Sequence, residues 1–527
     1  MITFLRSLKM KSKLCIVTLA AAVLAATVLP AIAMQRVPAD PAGERSTHPP
    51  YRVVTQHTGV FGGQKVVYTA TVEETFSLND QGEKTASLVS ISYVRTNIPD
   101  KSSRPVIFVF NGGPGSASLW MHMGILGPYR VLFQDTVSEE EVHPRTTPPF
   151  LYDRNPDSLL DMADIVLFDP PGTGFSRVLG ENNAKLFYGV QQDAKVTCEF
   201  IEDWVGRNGR WNSPKFIMGE SYGTVRAAVV SRMLTGGPLS TGKMNGITLN
   251  GVILLGQAMN VFGGRGGDIG SANVLATLAA TAWYHDKVDR ANKSLEQHVD
   301  EARAFAANDY IRALSAGSTL SSEERLRIAE RLAALTGLSQ NFILQNNLCV
   351  GSRSFASELL KEEGKQLGLY DGRFTLPLNP SGKDPVADDP AMAQYVPAFV
   401  STLNEYLNKD LHMGIGRSYN VIEFSEVNAR WDYGFGPGIP SSNRNYAGDL
   451  AIAMRRNPDL KVLVGTGYFD LVTTIGSADY TVAHNDIDLK RVSHRLYRSG
   501  HMPYIGVNSR RILAEDLRQF ISDASSL

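Results

Sequence analysis

The chain has 527 residues, of which 43% are hydrophobic and 20% charged, and its 52 basic side chains nearly balance 53 acidic ones. This is an ordinary composition for a globular protein, and the length allows a large core plus an insertion. Because no basic patch stands out, the charge pattern argues against nucleic acid as a partner.

The amino terminus has the three-part pattern of a secretory signal peptide. Four Lys and Arg side chains precede an almost wholly apolar run over residues 14–30, and Ala31-Ile32-Ala33 supplies a small-x-small cleavage site. We therefore predict a signal peptide over residues 1–33, a linker over residues 34–50, and export to the periplasm or the medium. An uncleaved membrane anchor is the alternative, although the run is short for a spanning helix.

Signal cleavage leaves Cys198 and Cys349 as the cysteines of the mature chain. An oxidising compartment allows them to pair. We favour two buried thiols instead, because Cys198 lies in a predicted helix over residues 193–204 and faces no obvious partner.

Residues 51–259 are predicted to form the first part of an α/β core. Alternating stretches within residues 52–96 indicate antiparallel strands at a sheet edge. Helical stretches then separate short, continuous apolar runs that suit buried parallel strands, at residues 106–110, 165–168, 216–218 and 252–255. This alternation predicts a doubly wound, mostly parallel sheet.

Residues 260–445 are predicted to be an inserted, largely helical cap. The glycine-rich residues 262–267 end the strand–helix alternation. One cap helix starts at the capping box over residues 321–324 and stops at Gly337. The second part of the core, residues 446–527, resumes the alternation with a strand at 462–464 and a final helix at 509–522.

The pentapeptide Gly219-Glu220-Ser221-Tyr222-Gly223 lies between the apolar residues 216–218 and a predicted helix over residues 225–234. A serine on such a tight strand-to-helix turn stands out at the end of the sheet, and its flanking glycines let the two elements pack closely. The first amides of the helix point at the group that the serine attacks. Ser221 is therefore the predicted nucleophile of an α/β-hydrolase fold.

A serine nucleophile requires a base and an acid that orients the base. Asp470 follows a predicted strand and so lies at the carboxyl end of the sheet. His501 lies in a loop before the last helix. We prefer it as the base to His484 and to His494, which lies in a basic stretch that is predicted to be helical.

Acyl transfer also needs backbone donors for the oxyanion. The first donor is the amide of Tyr222, because the turn places the residue after the nucleophile at the oxyanion. The loop Asn111-Gly112-Gly113-Pro114-Gly115 follows an early strand and is the candidate for the second donor. An ordinary tight turn is the alternative for this loop.

Taken together, the motifs resemble the serine carboxypeptidase family, peptidase family S10. They run in family order at residues 111–118, 169–176, 219–223, 465–470 and 500–503. The resemblance implies a catalytic triad, an oxyanion hole and a site for the terminal carboxylate of a peptide. It implies that Ser221, Asp470 and His501 form the triad. It also implies that the amides of Gly113 and Tyr222 form the oxyanion hole, and that Asn111 and Glu220 hold the carboxylate.

The same resemblance implies peptide substrates with a free C-terminus, no cofactor and no metal, and a structural role for Asp169. Two departures are informative. Ser116 stands where the family commonly has a cysteine, which suits a bacterial-type member. Ile125 stands where a second glutamate often precedes Leu-Gly-Pro, so that Asn111 and Glu220 bind the carboxylate alone.

Two alternatives from other functional classes remain. An esterase or acyltransferase on the same fold has the same triad and is separated from a carboxypeptidase only by its substrates. A non-catalytic carrier with a hydrolase shape predicts that a member of the triad is lost, and none is lost here.

Overall fold

The structure is a computed structural model that describes residues 49–133, 144–180, 182–239, 242–260, 267–290, 292–378, 382, 384–434 and 445–526. The predicted signal peptide and almost all of the predicted linker lie outside these residues, as do residues 262–266 of the glycine-rich segment. Within the described residues, no helix is both long and apolar enough to cross a membrane.

The strands follow one another along the chain as β1 (Arg52–Phe61), β2 (Gln64–Leu78), β3 (Lys84–Arg95), β4 (Val106–Phe110), β5 (Tyr129–Leu132), β6 (Leu151–Arg154), β7 (Asp164–Phe168), β8 (Arg177–Val178), β9 (Lys215–Glu220), β10 (Gly251–Leu255), β11 (Lys365–Leu367), β12 (Thr375–Pro377), β13 (Lys461–Gly467) and β14 (Val492–Tyr497).

The α-helices are α1 (Leu119–Met121), α2 (Val190–Arg207), α3 (Tyr222–Thr235), α4 (Gly267–Tyr284), α5 (Leu295–Phe305), α6 (Ile311–Ala316), α7 (Ser322–Thr336), α8 (Gln340–Gln345), α9 (Ser352–Glu358), α10 (Met392–Lys409), α11 (Ala447–Arg456), α12 (Ile475–Ala483) and α13 (Val507–Ser525). A π-helical turn, His122–Leu126, continues α1.

The central sheet has the strand order β1-β2-β3-β7-β4-β9-β10-β13-β14, with β8 paired to β3. Every pairing from β1 to β7 is antiparallel. Every pairing from β7 to β14 is parallel. The predicted antiparallel edge and the predicted doubly wound, mostly parallel sheet are therefore both confirmed.

The parallel strands are buried on both faces, which is why their sequences are continuous apolar runs. In β4, for example, Ile107 and Val109 join one apolar cluster, whereas Val106, Phe108 and Phe110 join another. The first cluster includes side chains of α10 and α13, and the second includes side chains of α2, α3 and α11. Helices thus cover both faces of the sheet, as the α/β-hydrolase fold requires.

The inserted region is largely helical and has an apolar cluster of its own, built mainly from α4 to α9. The predicted helix start is confirmed, because the hydroxyl of Ser321 accepts from the Glu324 amide and the Glu324 carboxylate accepts from the Ser321 amide. That helix ends at Gly337, which has a φ of +69°. The helix α10 also belongs to this region, but its Phe399 and Leu403 join the same apolar cluster as Ile107 and Val109 of the central sheet.

Two local predictions are wrong. His494 does not lie in a helix but on β14, opposite Val464 of β13, where half-buried and exposed residues alternate as expected for an edge strand. Cys349 is exposed, since it follows the turn that ends α8. The prediction of a buried, unpaired thiol is correct for Cys198.

Candidate active site

Ser221 occupies a strained turn between β9 and α3. Its φ and ψ are 58° and −127°, a region that side-chain-bearing residues rarely adopt. The Ser221 amide donates to the Leu255 carbonyl at 2.9 Å, and the Ser221 carbonyl accepts from the hydroxyl and the amide of Thr224. These bonds hold the serine backbone in a conformation that exposes its hydroxyl, and Ser221 is less buried than its neighbours.

Glycine is required on either side of this turn because the backbones approach closely. A Cβ on Gly219 would lie 2.2 Å from the Gly223 carbonyl oxygen, and one on Gly223 would lie 2.7 Å from that of Phe110. A Cβ on Gly112 would lie 2.6 Å from the Tyr222 amide nitrogen. The loop that follows β4 therefore touches the serine turn directly.

The two predicted oxyanion donors lie where these loops meet. The Tyr222 amide is the first of α3, and Gly113 follows Gly112 with a φ of +103°. Neither amide donates a hydrogen bond to another described residue. Both residues line the same cavity as Ser221, so the two N–H groups are available to a ligand there.

Asp470 and His501 lie in the loops that follow the adjacent strands β13 and β14. His501 Nδ1 is 2.9 Å from Asp470 Oδ2. The other oxygen of Asp470 accepts from the amides of Val472 and Thr473, each at 2.8 Å. The Asp470 side chain is fully buried and His501 is nearly so. The carboxylate therefore fixes the imidazole ring and leaves Nε2 pointing away from Asp470.

Thr473 is a site residue that the sequence analysis missed. Its hydroxyl donates to Asp470 Oδ2 and lies 3.1 Å from His501 Nδ1. A hydroxyl three residues after the acid was visible in the sequence, but nothing marked it as a partner of the distant histidine.

The turn after β10 joins the serine and the histidine. Leu255 accepts the Ser221 amide, and a Cβ on the next residue, Gly256, would lie 3.2 Å from the His501 ring. The rival histidines are engaged elsewhere. His484 stacks on Tyr480, and His494 lies 3.2 Å from both Asp479 and Thr466.

Asn111 and Glu220 form a buried pair beside Ser221. Asn111 Nδ2 donates to Glu220 Oε1 at 2.6 Å. Burial raises the pKa of Glu220 to about 7, against the lowering effects of His501 and of hydrogen bonding. Glu220 Oε2 is buried and has no hydrogen-bond partner among the described residues. This oxygen is therefore the polar atom of the pair that is left for a ligand.

Tyr504 lies beside the Asn111–Glu220 pair and was also missed. Its ring packs so closely on the helix carrying Ile125 that a Cβ on Gly124 would lie 2.4 Å from it. The Tyr504 hydroxyl is near enough to lower the pKa of Glu220. However, it does not meet the geometry of a hydrogen bond, and it has no other partner in the described chain.

A single cavity collects most of the predicted site residues, namely Asn111, Gly113, Glu220, Ser221, Tyr222 and His501. Its remaining lining is mainly apolar, including Trp120, Met392, Ile422, Phe424, Val472 and Met502. Asp470 lies behind His501 and is not part of the lining. The described residues contain no cluster of three or more His, Cys, Asp or Glu side chains suited to a metal.

Asp169, which the sequence predicts to be structural, is buried and separate from this cavity. Its Oδ1 accepts from both the amide and the hydroxyl of Ser118, each at 2.7 Å. A Cβ on Gly174 would overlap its carboxylate. Asp169 thereby joins the loop after β7 to the start of α1.

A serine on a strand-to-helix turn, above a mostly parallel sheet and beside a buried His–Asp pair, defines the chain as an α/β-hydrolase. Residues 89–499 match the sequence model of the family described as serine carboxypeptidase. Because this match covers more than half of the chain, the protein belongs to the serine carboxypeptidase family, and it is a serine-type carboxypeptidase.

The solved structures that are similar to this chain have low sequence identity to it. Kex1, a prohormone-processing carboxypeptidase from Saccharomyces cerevisiae, is 13% identical with a TM-score of 0.50, over 86% of this chain and 92% of that one. A thermostable carboxyl esterase from Bacillus coagulans is 11% identical with a TM-score of 0.36, over 86% of this chain and 99% of that one. Among curated proteins, no sequence matches this chain significantly.

Proposed function

We propose that this serine carboxypeptidase is exported and releases C-terminal residues from peptides through an acyl-enzyme on Ser221. His501 takes the proton of the Ser221 hydroxyl as the oxygen attacks the carbonyl of the last peptide bond. Asp470 holds the His501 ring and stabilises the imidazolium that forms. The protonated His501 then donates its proton to the departing amino group. In the second half of the reaction, His501 takes a proton from a water molecule that attacks the ester, and returns this proton to the Ser221 oxygen as it leaves.

The oxyanion that develops on the scissile carbonyl needs donors that are already in place. We assign the amides of Gly113 and Tyr222 as these donors, because both residues line the cavity and neither amide donates to another group in the described chain. A donor of this kind is worth about 100- to 1000-fold in turnover.

The observation that carries the proposal of an exopeptidase is the Asn111–Glu220 pair. It lies in the cavity within one residue of the nucleophile, and burial raises the pKa of Glu220 to about 7. A protonated Glu220 can donate to a carboxylate, as the amide of Asn111 can. The terminal carboxylate of a peptide bound there sets the last peptide bond beside Ser221.

The test compares one blocked dipeptide with a free C-terminus and with an amidated one. We expect the free acid to be hydrolysed with at least about tenfold higher kcat/KM near pH 6, because only it engages the Asn111–Glu220 pair. Ser221→Ala should lower turnover of both substrates by about a million-fold and abolish fluorophosphonate labelling. An equal kcat/KM for the two dipeptides would favour an esterase or a general amidase instead.

Export is part of the proposal and rests on the signal pattern over residues 1–33. We expect the protein recovered outside the cytoplasm to have the intact mass of a chain that begins at Met34. A mass that includes the apolar run would point to the uncleaved anchor.

A further inference from the structure

One hairpin of the inserted region extends into the loops that carry Asp470 and His501. The strands β11 and β12 pair in antiparallel register, and the Gly368 amide donates to the Phe374 carbonyl at 2.9 Å. The residues between them, 369–373, form what we call the clamp turn. The histidine loop, residues 498–505, and the aspartate loop, residues 468–473, lie against it.

The clamp turn binds the aspartate loop on both sides of Asp470. The Gly372 amide donates to the Phe469 carbonyl at 2.9 Å, and the Leu471 amide donates to the Leu369 carbonyl at 3.0 Å. Because these bonds flank the acid, they fix the backbone that presents its carboxylate.

The clamp turn also binds the histidine loop at the histidine itself. The His501 amide donates to the Tyr370 carbonyl at 2.6 Å, and the Tyr370 ring meets the imidazole edge to face at 5.4 Å. A Cβ on Gly500 would lie 2.4 Å from the Tyr370 carbonyl oxygen, so the approach leaves no room for a side chain. The base of the proposed triad is therefore in direct contact with the clamp turn of the inserted region.

Arg373 ties the two ends of the histidine loop together. Its guanidinium donates to the Arg498 carbonyl at 3.1 Å, to the Ser499 hydroxyl at 3.3 Å and, weakly, to the Ile505 carbonyl at 3.4 Å. Its Nε and Nη2 also bind the two oxygens of Asp371 at 2.9 and 2.6 Å. Both side chains of this ion pair are 1% exposed.

A fully buried ion pair is rarely the most stable way to fill such a space, since apolar side chains of similar volume often do as well or better. The pair therefore needs another explanation, and its contacts supply one. A guanidinium has five donors in a rigid plane, which lets one side chain hold a carboxylate and several loop acceptors in a fixed geometry.

We infer that the Asp371–Arg373 pair is a positioning device that holds the His501 loop against the Asp470 loop. This inference rests on the proposed triad. On this inference, the clamp turn of the inserted region helps to position the catalytic groups. Arg373 and Asp371 do not line the cavity, so they act through His501 and Asp470 and not on the substrate.

The test measures turnover per folded molecule in Arg373→Met and in a matched control, Arg104→Met. Arg104 is also buried, pairs with Asp164 at 2.7 Å and donates to backbone carbonyls, but it lies at the amino ends of β4 and β7. Both variants break a buried ion pair, but Asp164 keeps a second pair with Arg210, so Arg104→Met should be destabilised less and turnover is compared per folded molecule. Near-ultraviolet circular dichroism gives the folded fraction.

For an ester substrate, we expect Arg373→Met to lower kcat per folded molecule by about 100-fold with KM changed less than about twofold, as for a catalytic group displaced by about 1 Å. Arg104→Met should keep the wild-type kcat. The downfield proton resonance of the His501–Asp470 pair should be lost in Arg373→Met and retained in Arg104→Met. A folded Arg373→Met with wild-type kcat and this resonance intact would overturn the inference.

If Arg373→Met does not fold, the double variant Asp371→Leu/Arg373→Met replaces both charges by apolar side chains and is expected to fold. The same loss of kcat should appear in it, and wild-type turnover would again overturn the inference. Failure of the proposed function has a different signature, because Ser221→Ala and Asp470→Asn would then remain active whatever the Arg373 variants do.

Discussion

The proposed role of Glu220 predicts that the binding of a free C-terminus depends on pH. The carboxyl group of Glu220 is buried, and burial raises its pKa to about 7, although His501, Asn111 and Tyr504 lower it. The terminal carboxylate of a peptide stays ionised above about pH 4. Two carboxylates within hydrogen-bond distance cannot both stay ionised. Substrate with a free C-terminus should therefore bind the form of the enzyme in which Glu220 is protonated.

The size of the effect follows from that pKa. At pH 6 about nine-tenths of the enzyme carries the proton on Glu220, and at pH 8 about one-tenth does. The KM of a free-acid peptide should therefore rise about tenfold from pH 6 to pH 8. An amidated peptide or an ester lacks the terminal charge, and its KM should stay flat over the same interval.

The assay is a series of initial rates at half-unit pH steps and constant ionic strength, for the free and the amidated form of one peptide. Glu220→Gln should flatten the KM profile of the free acid, since the amide can donate a hydrogen bond at any pH. Asp169→Asn is the matched control, because it removes another buried carboxyl that lies outside the cavity. Identical KM profiles for the two peptides in wild type would refute the reasoning.

Four further outcomes are expected. Because the pKa of Glu220 is raised on folding, its favourable contribution to stability is complete below about pH 4.5 and is lost as pH rises through about 7. Glu220→Gln should therefore raise the free energy of unfolding by roughly 3 kcal/mol at pH 8 and change it little at pH 4, as measured with urea. Asp470→Asn should lower kcat about 10,000-fold at neutral pH with little change in Tm; a loss below about tenfold would assign the acid elsewhere. Gly219→Ala, whose Cβ would lie 2.2 Å from a carbonyl oxygen, should lower the free energy of unfolding by about 1–3 kcal/mol, as measured by thermal or urea unfolding. A thiol reagent should modify the exposed Cys349 in the native protein and the buried Cys198 only after unfolding.

Much of the sheet and the serine turn could be predicted because their causes are local. A strand buried on both faces must be apolar at every position, so residues 106–110 identify β4 without knowledge of its neighbours. The pentapeptide around Ser221 is similarly constrained, because only glycine tolerates the backbone contacts at Gly219 and Gly223. In both cases a short stretch of sequence contains the whole physical requirement.

The contacts that could not be predicted join residues far apart in the chain. Arg373 donates to a loop more than 120 positions later, and nothing in its own surroundings distinguishes it from a surface arginine. Tyr504 approaches Glu220 because the histidine loop packs against the π-helical turn that follows α1. The error at His494 has a different origin, since six residues of an edge strand with mixed polarity fit a helix as well as a strand.

The order of the chain has a consequence for biosynthesis. The strand β10 pairs directly with β13, yet about 200 residues separate them in the sequence, and β14 joins the sheet later still. Asp470 and His501 lie about 250 and 280 positions after Ser221, so they leave the ribosome well after the serine. A nascent polypeptide that has not reached residue 501 has the serine without its proposed base, so hydrolytic activity should arise only after this loop has been made. The pairing of β10 with β13 also closes a long loop, and the entropy cost of that closure should slow the formation of this part of the sheet.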